Sequence, residues 1–322
     1  MRSKRDEQDS RLIRPVAALL ALAAGFGLAA AIAVGSSTEV GQTTDTPTFG
    51  VQTPVVPAST VPGTPSYETP SGVLTSWRFH SSGDAAAGAV RLKIFRYTGT
   101  GLAYKVLAES SVKTLAPNTG YEFQERIPVD PGDLLGLTAI DSAEVAITVP
   151  NTPGNQMAQF GGGDIAVGQT GTATIAWPNL RPSVAATIES DLDKDGYGDE
   201  SQDKCPVDTK TQGLCKVGVG KLKRNTEKGT AIIPVTVPGA GTLTLSGKGV
   251  VKQRAASDSG MTRVAGKAVT SAGVVKLLVK PKGKAKRKLN RNGQVKVKSV
   301  LTYTPIDGPP VAQPRRLKLV KK

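Results

Sequence analysis

From Val295 to Tyr303 the side chains alternate, with Val295, Val297, Ser299, Leu301 and Tyr303 on one face and Lys296, Lys298 and Thr302 on the other. A side-chain period of two belongs to an extended strand with one face on a core and the other in water. Val275, Leu277 and Val279 repeat the pattern against Lys276 and Lys280, and Val90, Leu92 and Ile94 repeat it against Arg91, Lys93 and Phe95. Val73, Thr75, Trp77 and Phe79 oppose Ser76, Arg78 and His80 in the same way. Residues 121–129 end on Asp130-Pro131-Gly132-Asp133, a strong turn signal, and 145–149, 172–177 and 184–188 read as further short strands. Residues 230–237 and 241–250 add two more around Pro238-Gly239-Ala240-Gly241; Pro234, which has no amide to donate, predicts that the first is an edge strand. Aromatics make up only 4% of the chain while Gly 36 and Pro 22 punctuate it, so the class expected is all-β, built from short strands and turns.

Charge divides these strands into two bodies. From Lys216 onward 25 Lys and Arg face 3 acids, leaving 16 against 23 before it, so a net +22 follows a net −7 and a domain boundary falls near Cys215. The N-terminal body, 67–189, is expected to be a jelly-roll or β-sandwich domain, and 216–322 an immunoglobulin-like β-sandwich of six or seven strands. Residues 34–66, with Pro47, Pro54, Pro57, Pro62 and Pro65, read as a Thr/Pro-rich linker; the alternative is a first edge strand at Phe49-Gly50-Val51-Gln52.

At the N-terminus Arg2, Lys4, Arg5, Arg11 and Arg14 precede an uninterrupted apolar or small run from Val16 to Val34. This is an export segment: 1–33 is a signal peptide cut after Ala31-Ile32-Ala33, or a membrane anchor helix if uncut. Either way the expected location is extracellular or at the cell surface, with the membrane touched only through that helix.

The most specific chemical pattern is Asp191-Leu192-Asp193-Lys194-Asp195-Gly196-Tyr197-Gly198-Asp199-Glu200-Ser201-Gln202-Asp203. Acids fall at loop positions 1, 3, 5 and 9 and glycine at 6, which turns successive carboxylates inward and lets the chain bend sharply. Hard oxygens at this spacing suit calcium, which takes six to eight of them at about 2.3–2.6 Å. Asp191, Asp193 and Asp195 are the expected inner ligands, Tyr197 gives a backbone carbonyl, and Asp199 a direct or water-mediated oxygen. The twelfth position, usually a bidentate Glu, is Gln202; Asp203 is expected to close the shell after a one-residue bulge.

Asp-x-Asp-x-Asp-Gly-x-Gly-Asp followed by Asp203-Lys204-Cys205-Pro206 resembles a thrombospondin type 3 calcium repeat, in one copy over about 16 residues. The longer run from Asp193 to Pro206 looks like secreted modular proteins of high-GC Gram-positive bacteria, in which such a segment follows a β-rich domain and precedes a lysine-rich immunoglobulin-like one. The resemblance implies calcium binding and adhesion without naming a ligand; a polysaccharide or another surface protein is the partner expected of such an exported module.

Cys205 and Cys215 are the only cysteines, and in an exported chain they are expected to form a disulfide beside the acidic loop. No catalytic constellation emerges. His80 is the sole histidine, which removes the usual Ser-His-Asp and Cys-His schemes unless it serves. No spacing selects a pair from Glu122, Glu125, Asp130, Asp133 and Asp164, and Gly161-Gly162-Gly163 is followed by no GK[ST]. Lys282, Lys284, Lys286, Arg287, Lys288 and Arg291 form a dense basic cluster that reads either as a soluble, aggregation-resistant surface or as a site for an anionic cell-wall polymer, lipid headgroups or released DNA. With Tyr303 the only aromatic after Tyr197, specific nucleic-acid recognition is not expected. Trp77, Trp177 and Tyr121 are the aromatic candidates for a sugar in the first domain.

Overall fold

A computed structural model describes residues 37–48, 53–60, 62–82, 88–140, 147–149, 152–256 and 271–322. The expected export segment, 1–33, and Phe49-Gly50-Val51-Gln52 lie outside the described residues. Apart from one helix, the described elements are β-strands, and all their pairings are antiparallel. No helix among the described residues is long and apolar enough to cross a membrane.

The first domain is a sandwich. One sheet has the order Thr38–Gln42, Val184–Glu189, Gly72–His80, Gly120–Val129; the other has eight strands, with Ala89–Tyr97, Leu134–Ile140 and Val55–Ser59 at its centre. Leu74, Trp77, Phe79 and Ile188 from the first sheet close on Leu92, Ile94, Leu135 and Leu137 from the second. Each fully buried Leu, Ile or Phe contributes about 1.5–3 kcal/mol, so this interlayer is what holds the two sheets together.

Three expectations need correction here. The 34–66 segment is not a linker throughout, since Thr38–Gln42 and Val55–Ser59 are strands of the two sheets and Val40, Val55 and Val56 are buried. Its prolines are accommodated because Pro57 sits where pairing with Gln156–Gln159 slips by one residue. In Gly72–His80 the alternation is broken: the register shifts between Leu74 and Ser76, so Leu74 joins the core with Trp77 and Phe79 while the Thr75 hydroxyl turns to Glu189. And Lys93, on the expected solvent face, is 0% exposed: that face of the sheet carries a second apolar cluster, Val56, Phe95, Tyr104, Val106, Ala158 and Phe160, and the segment with Asp164 and Ile165 lies over the lysine. Its ammonium donates to Glu109 (2.6 Å) and to the Ile165 carbonyl (2.8 Å) and lies 3.1 Å from Asp164.

The second domain packs two four-stranded sheets face to face. Thr230–Val237 and Gly273–Val279 supply Ile233, Val235, Leu277 and Val279; Gly241–Ser246, Gln294–Pro305 and Val311–Val320 supply Leu243, Leu245, Val297, Leu301, Tyr303 and Leu319. Thr230–Val237 is internal instead of an edge. It pairs with Gly273–Val279 on one side and with Gly218–Val219 and Lys223–Asn225 on the other. Pro234 is tolerated because its missing amide faces the gap between those two short strands, where the Gly220 amide donates to its carbonyl at 2.9 Å. The single helix, α1 (Gly283–Asn292), buries Leu289 and ends at Gly293, whose φ of 66° makes the left-handed cap.

Candidate metal centre

The acidic loop leaves the end of the strand Val184–Glu189 and is held on the first sandwich by groups the motif does not contain. Glu189 is buried, and its carboxylate accepts from the Thr75 hydroxyl (3.0 Å) and from the amides of Glu200 (3.0 Å) and Ser201 (2.9 Å). Gln202 donates to the Glu125 carbonyl at 2.8 Å and accepts from the Gly198 amide at 3.3 Å. The Arg126 guanidinium lies 4.2 Å from the centre of the Tyr197 ring, a cation–π contact that ties the loop to the strand Gly120–Val129. Gly198 is fixed by space: a β-carbon there would stand 2.4 Å from a Glu189 carboxylate oxygen and 2.6 Å from the Thr75 methyl.

Within this frame Asp191, Asp193 and Asp195 bring one carboxylate oxygen each within 4.8 Å of the others. Asp191 caps the turn, its two oxygens accepting from the amides of Asp195 (3.1 Å) and Gly196 (2.9 Å), and Asp195 accepts from the Tyr197 amide at 2.9 Å. The chain reverses at Gly196, whose φ is 83°, two residues after Lys194 at 61°. Asp199 is committed to the loop itself, accepting from the Ser190 hydroxyl (2.8 Å) and the Leu192 amide (3.0 Å). The amides of Gln202 and Asp203 both donate to the Gly198 carbonyl; the Gln202 side chain is occupied at Glu125 and Gly198, while Asp203 is 2% exposed and is not among the three acids whose oxygens come within 4.8 Å of one another.

Two of these acids have oxygens without a partner. Both carboxylate oxygens of Asp193 and one of Asp203 are buried and accept no hydrogen bond; the other Asp203 oxygen accepts from the Cys205 amide at 2.7 Å. Burial, followed by repulsion from Asp195, Asp203 and Asp191, pushes the Asp193 carboxyl up to about 6, against an opposing influence of the Asp208 backbone. Burial raises Asp199 to about 7 against the opposing Ser190 and Leu192 bonds, and burial likewise raises Asp203. Concentrated negative charge with orphaned oxygens is costly unless a cation is supplied. The residues therefore fit a hard divalent ion: oxygen donors alone, with no nitrogen or thiolate among them.

The other side of the loop grips the second domain. Cys205 and Cys215 are joined, and both are buried in its core with Val235, Val237 and Tyr303. The ring they close folds back on the acids, with the Lys204 amide donating to the Gln212 carbonyl (2.9 Å) and the Gln212 side chain donating to Asp195 (2.7 Å). Val207 fills the space at Gly239, where a β-carbon would lie 2.4 Å from it. Glu189, Asp208 and Gln212 are the residues that the motif alone does not reveal. The available signal was their place at the end of the preceding strand and inside the short cysteine ring.

The remaining candidates separate. Lys282, Lys284, Lys286, Arg287, Lys288 and Arg291 lie on or just before α1 and are exposed, far along the chain from the acids. Trp77 is fully buried in the first core, Trp177 donates to Gln159 at 2.6 Å, and Tyr121 stacks on Phe123 with centroids 5.2 Å apart. Among the carboxylates considered for catalysis, Asp130 and Asp133 clasp Arg96, Asp164 pairs with Lys93 and Arg91, and Glu125 with Lys113. His80 ends its strand opposite Gly120.

No family model matches this chain, and no curated protein does. Among solved structures it is similar to CfaE, the adhesive subunit of the CFA/I fimbria of enterotoxigenic Escherichia coli, at 12% identity over 89% of this chain and 87% of that one. The TM-score of 0.21 is too low for that likeness to carry an argument.

Proposed function

We propose that this chain is an exported, non-catalytic protein of the cell surface or extracellular space, structural or adhesive, in which one calcium ion and the Cys205–Cys215 disulfide stiffen the junction between two β-sandwich domains. The convergence of Asp191, Asp193 and Asp195 carries this reading, together with the buried, unpartnered oxygens of Asp193 and Asp203. Calcium is favoured over magnesium because its larger, more flexible oxygen shell tolerates an irregular set of carboxylates, whereas magnesium demands near-octahedral geometry and retains its waters. Asp191, Asp193, Asp195 and Asp203 would supply carboxylate oxygens, Tyr197 a carbonyl, and Asp199 an oxygen directly or through water. A disulfide and an extracellular calcium module both belong to an oxidising, calcium-rich compartment, in keeping with the basic and apolar 1–33 segment.

Calorimetric titration of residues 34–322 with calcium tests the reading. One saturable site with Kd of about 10⁻⁴–10⁻³ M is expected. At tenfold excess over Kd the ion should add roughly 1.4 kcal/mol, seen as a rise in the melting temperature that chelator reverses. No heat and no chelator effect at several times that concentration would reduce the loop to an acidic connector.

A further inference from the structure

The second domain carries a continuous row of cations on the outer face of one sheet. On the outer face of the C-terminal hairpin, Lys296 stands directly opposite Lys318, and Lys298 directly opposite Arg316. All four are exposed, while the residues between them, Val295, Val297, Leu317 and Leu319, point into the core. Directly opposed like charges destabilise a strand pair, so two such pairs in succession are a cost that the fold itself does not require. The row continues at both ends. Lys288 of α1 borders one shallow depression of about 420 Å³ with Lys296 and Lys318, and Lys248 borders a second of about 420 Å³ with Lys298 and Arg316. On α1, Lys284 and Lys288, and Arg287 and Arg291, repeat the like-charge spacing at i,i+4, with no acid in the first turn. No carboxylate among the described residues forms an ion pair with any of the six cations of the row.

We infer that this row, Lys288, Lys296, Lys318, Lys298, Arg316 and Lys248, binds a linear phosphodiester polymer through its backbone charges. Successive outward residues of a strand lie about 6.8 Å apart and neighbouring strands about 4.8 Å apart, which sets the cations as a ladder of point charges rather than a pocket around one anion. Lysine ammonium groups serve phosphate as point charges, and Arg316 adds a planar fork. The apolar residues outward on this face are small, Val300, Pro314 and Ala312, so there is no aromatic platform on which a base or sugar could stack and no bulky side chain to enter a bilayer. Recognition is of charge spacing, with no reading of sequence. The inference stands apart from the acidic loop, because it uses none of its residues.

Wall polymers of glycerol phosphate and single-stranded DNA share this backbone chemistry. Titrating the full chain with poly(glycerol phosphate), with oligothymidylate of matched phosphate number and with neutral dextran separates the sources. Binding to one or both phosphate polymers, with none to dextran, is expected; the tighter of the two names the source. Six contacts on a single-stranded polymer predict a slope of log K against log salt of about −4. Lys296→Gln with Lys298→Gln should weaken binding about tenfold, whereas Lys276→Gln with Lys280→Gln, the same charge loss on the opposite sheet, should leave it nearly unchanged. The hairpin variant should melt no lower than the parent, since it relieves the opposed pairs. No binding to either polymer at low salt, or equal losses from both double variants, would overturn the inference.

Discussion

Replacing Cys205 and Cys215 together by alanine is expected to lower the stability of the second domain by about 3 kcal/mol, the loop-closure entropy of a ring this short in the chain-entropy model. Packing adds to that figure, because both sulfurs are buried in the core against Val235, Val237 and Tyr303. The effect should also reach the acidic loop. With the ring open, the Gln212 carbonyl no longer holds the Lys204 amide in place and the Gln212 side chain is released from Asp195. The reduced or doubly substituted protein should therefore unfold at lower denaturant, with the second transition moved and the first sandwich little changed, and its calcium affinity should fall several-fold. Denaturation followed at two probes, one in each domain, checks both parts. A second-domain midpoint that does not move would mean that the ring contributes nothing to that core.

Asp193→Asn with Asp203→Asn should abolish measurable calcium binding, weakening it by roughly 100-fold or more, since affinity in such loops follows the number of charged ligands. These positions discriminate between a binding and a structural role. Neither Asp193 oxygen accepts a hydrogen bond, and Asp203 can keep its bond from the Cys205 amide through the asparagine oxygen. Two buried negative charges disappear while the internal bonds of the loop survive. In chelator the double variant should accordingly melt at or above the parent; in calcium the order should reverse, because only the parent gains from the ion. If the variant were less stable than the parent in chelator, the two aspartates would be serving the fold directly.

The strands were legible wherever a single buried face imposes a period of two, as in Gln294–Pro305 and Gly273–Val279, whose burial alternates residue by residue. Legibility failed where a second constraint entered. Thr38–Gln42 and Val55–Ser59 were hidden by their proline-rich surroundings, because a slipped pairing can seat Pro57 inside a sheet, a fact of the partner strand and not of the local sequence. Lys93 reads as an outward lysine, and only the chain segment that brings Asp164 and Ile165 over it turns that face into an interior. Helix α1 carried its own signal, a run of good helix formers closed by Gly293, yet its lysines resemble the outward residues of the neighbouring strands. For the acidic loop, the alternating aspartates and Gly196 gave the cluster of Asp191, Asp193 and Asp195 directly. Glu189 and Gln212, which tie it to the two domains, come from outside the motif and are recruited by tertiary contact.

Amide hydrogen exchange across residues 190–215, compared in calcium and in chelator, tests the stiffened junction most directly. The amides of Leu192, Asp195, Gly196 and Tyr197 all donate to carboxylates of the loop, and those of Gln202 and Asp203 to the Gly198 carbonyl, so their exchange reports on how well the loop is held. Calcium should slow exchange at these positions roughly tenfold, the equivalent of about 1.4 kcal/mol against local opening, with Thr230–Val237 and Gly72–His80 unchanged. Equal exchange across 190–215 in calcium and in chelator would contradict a calcium-stiffened junction.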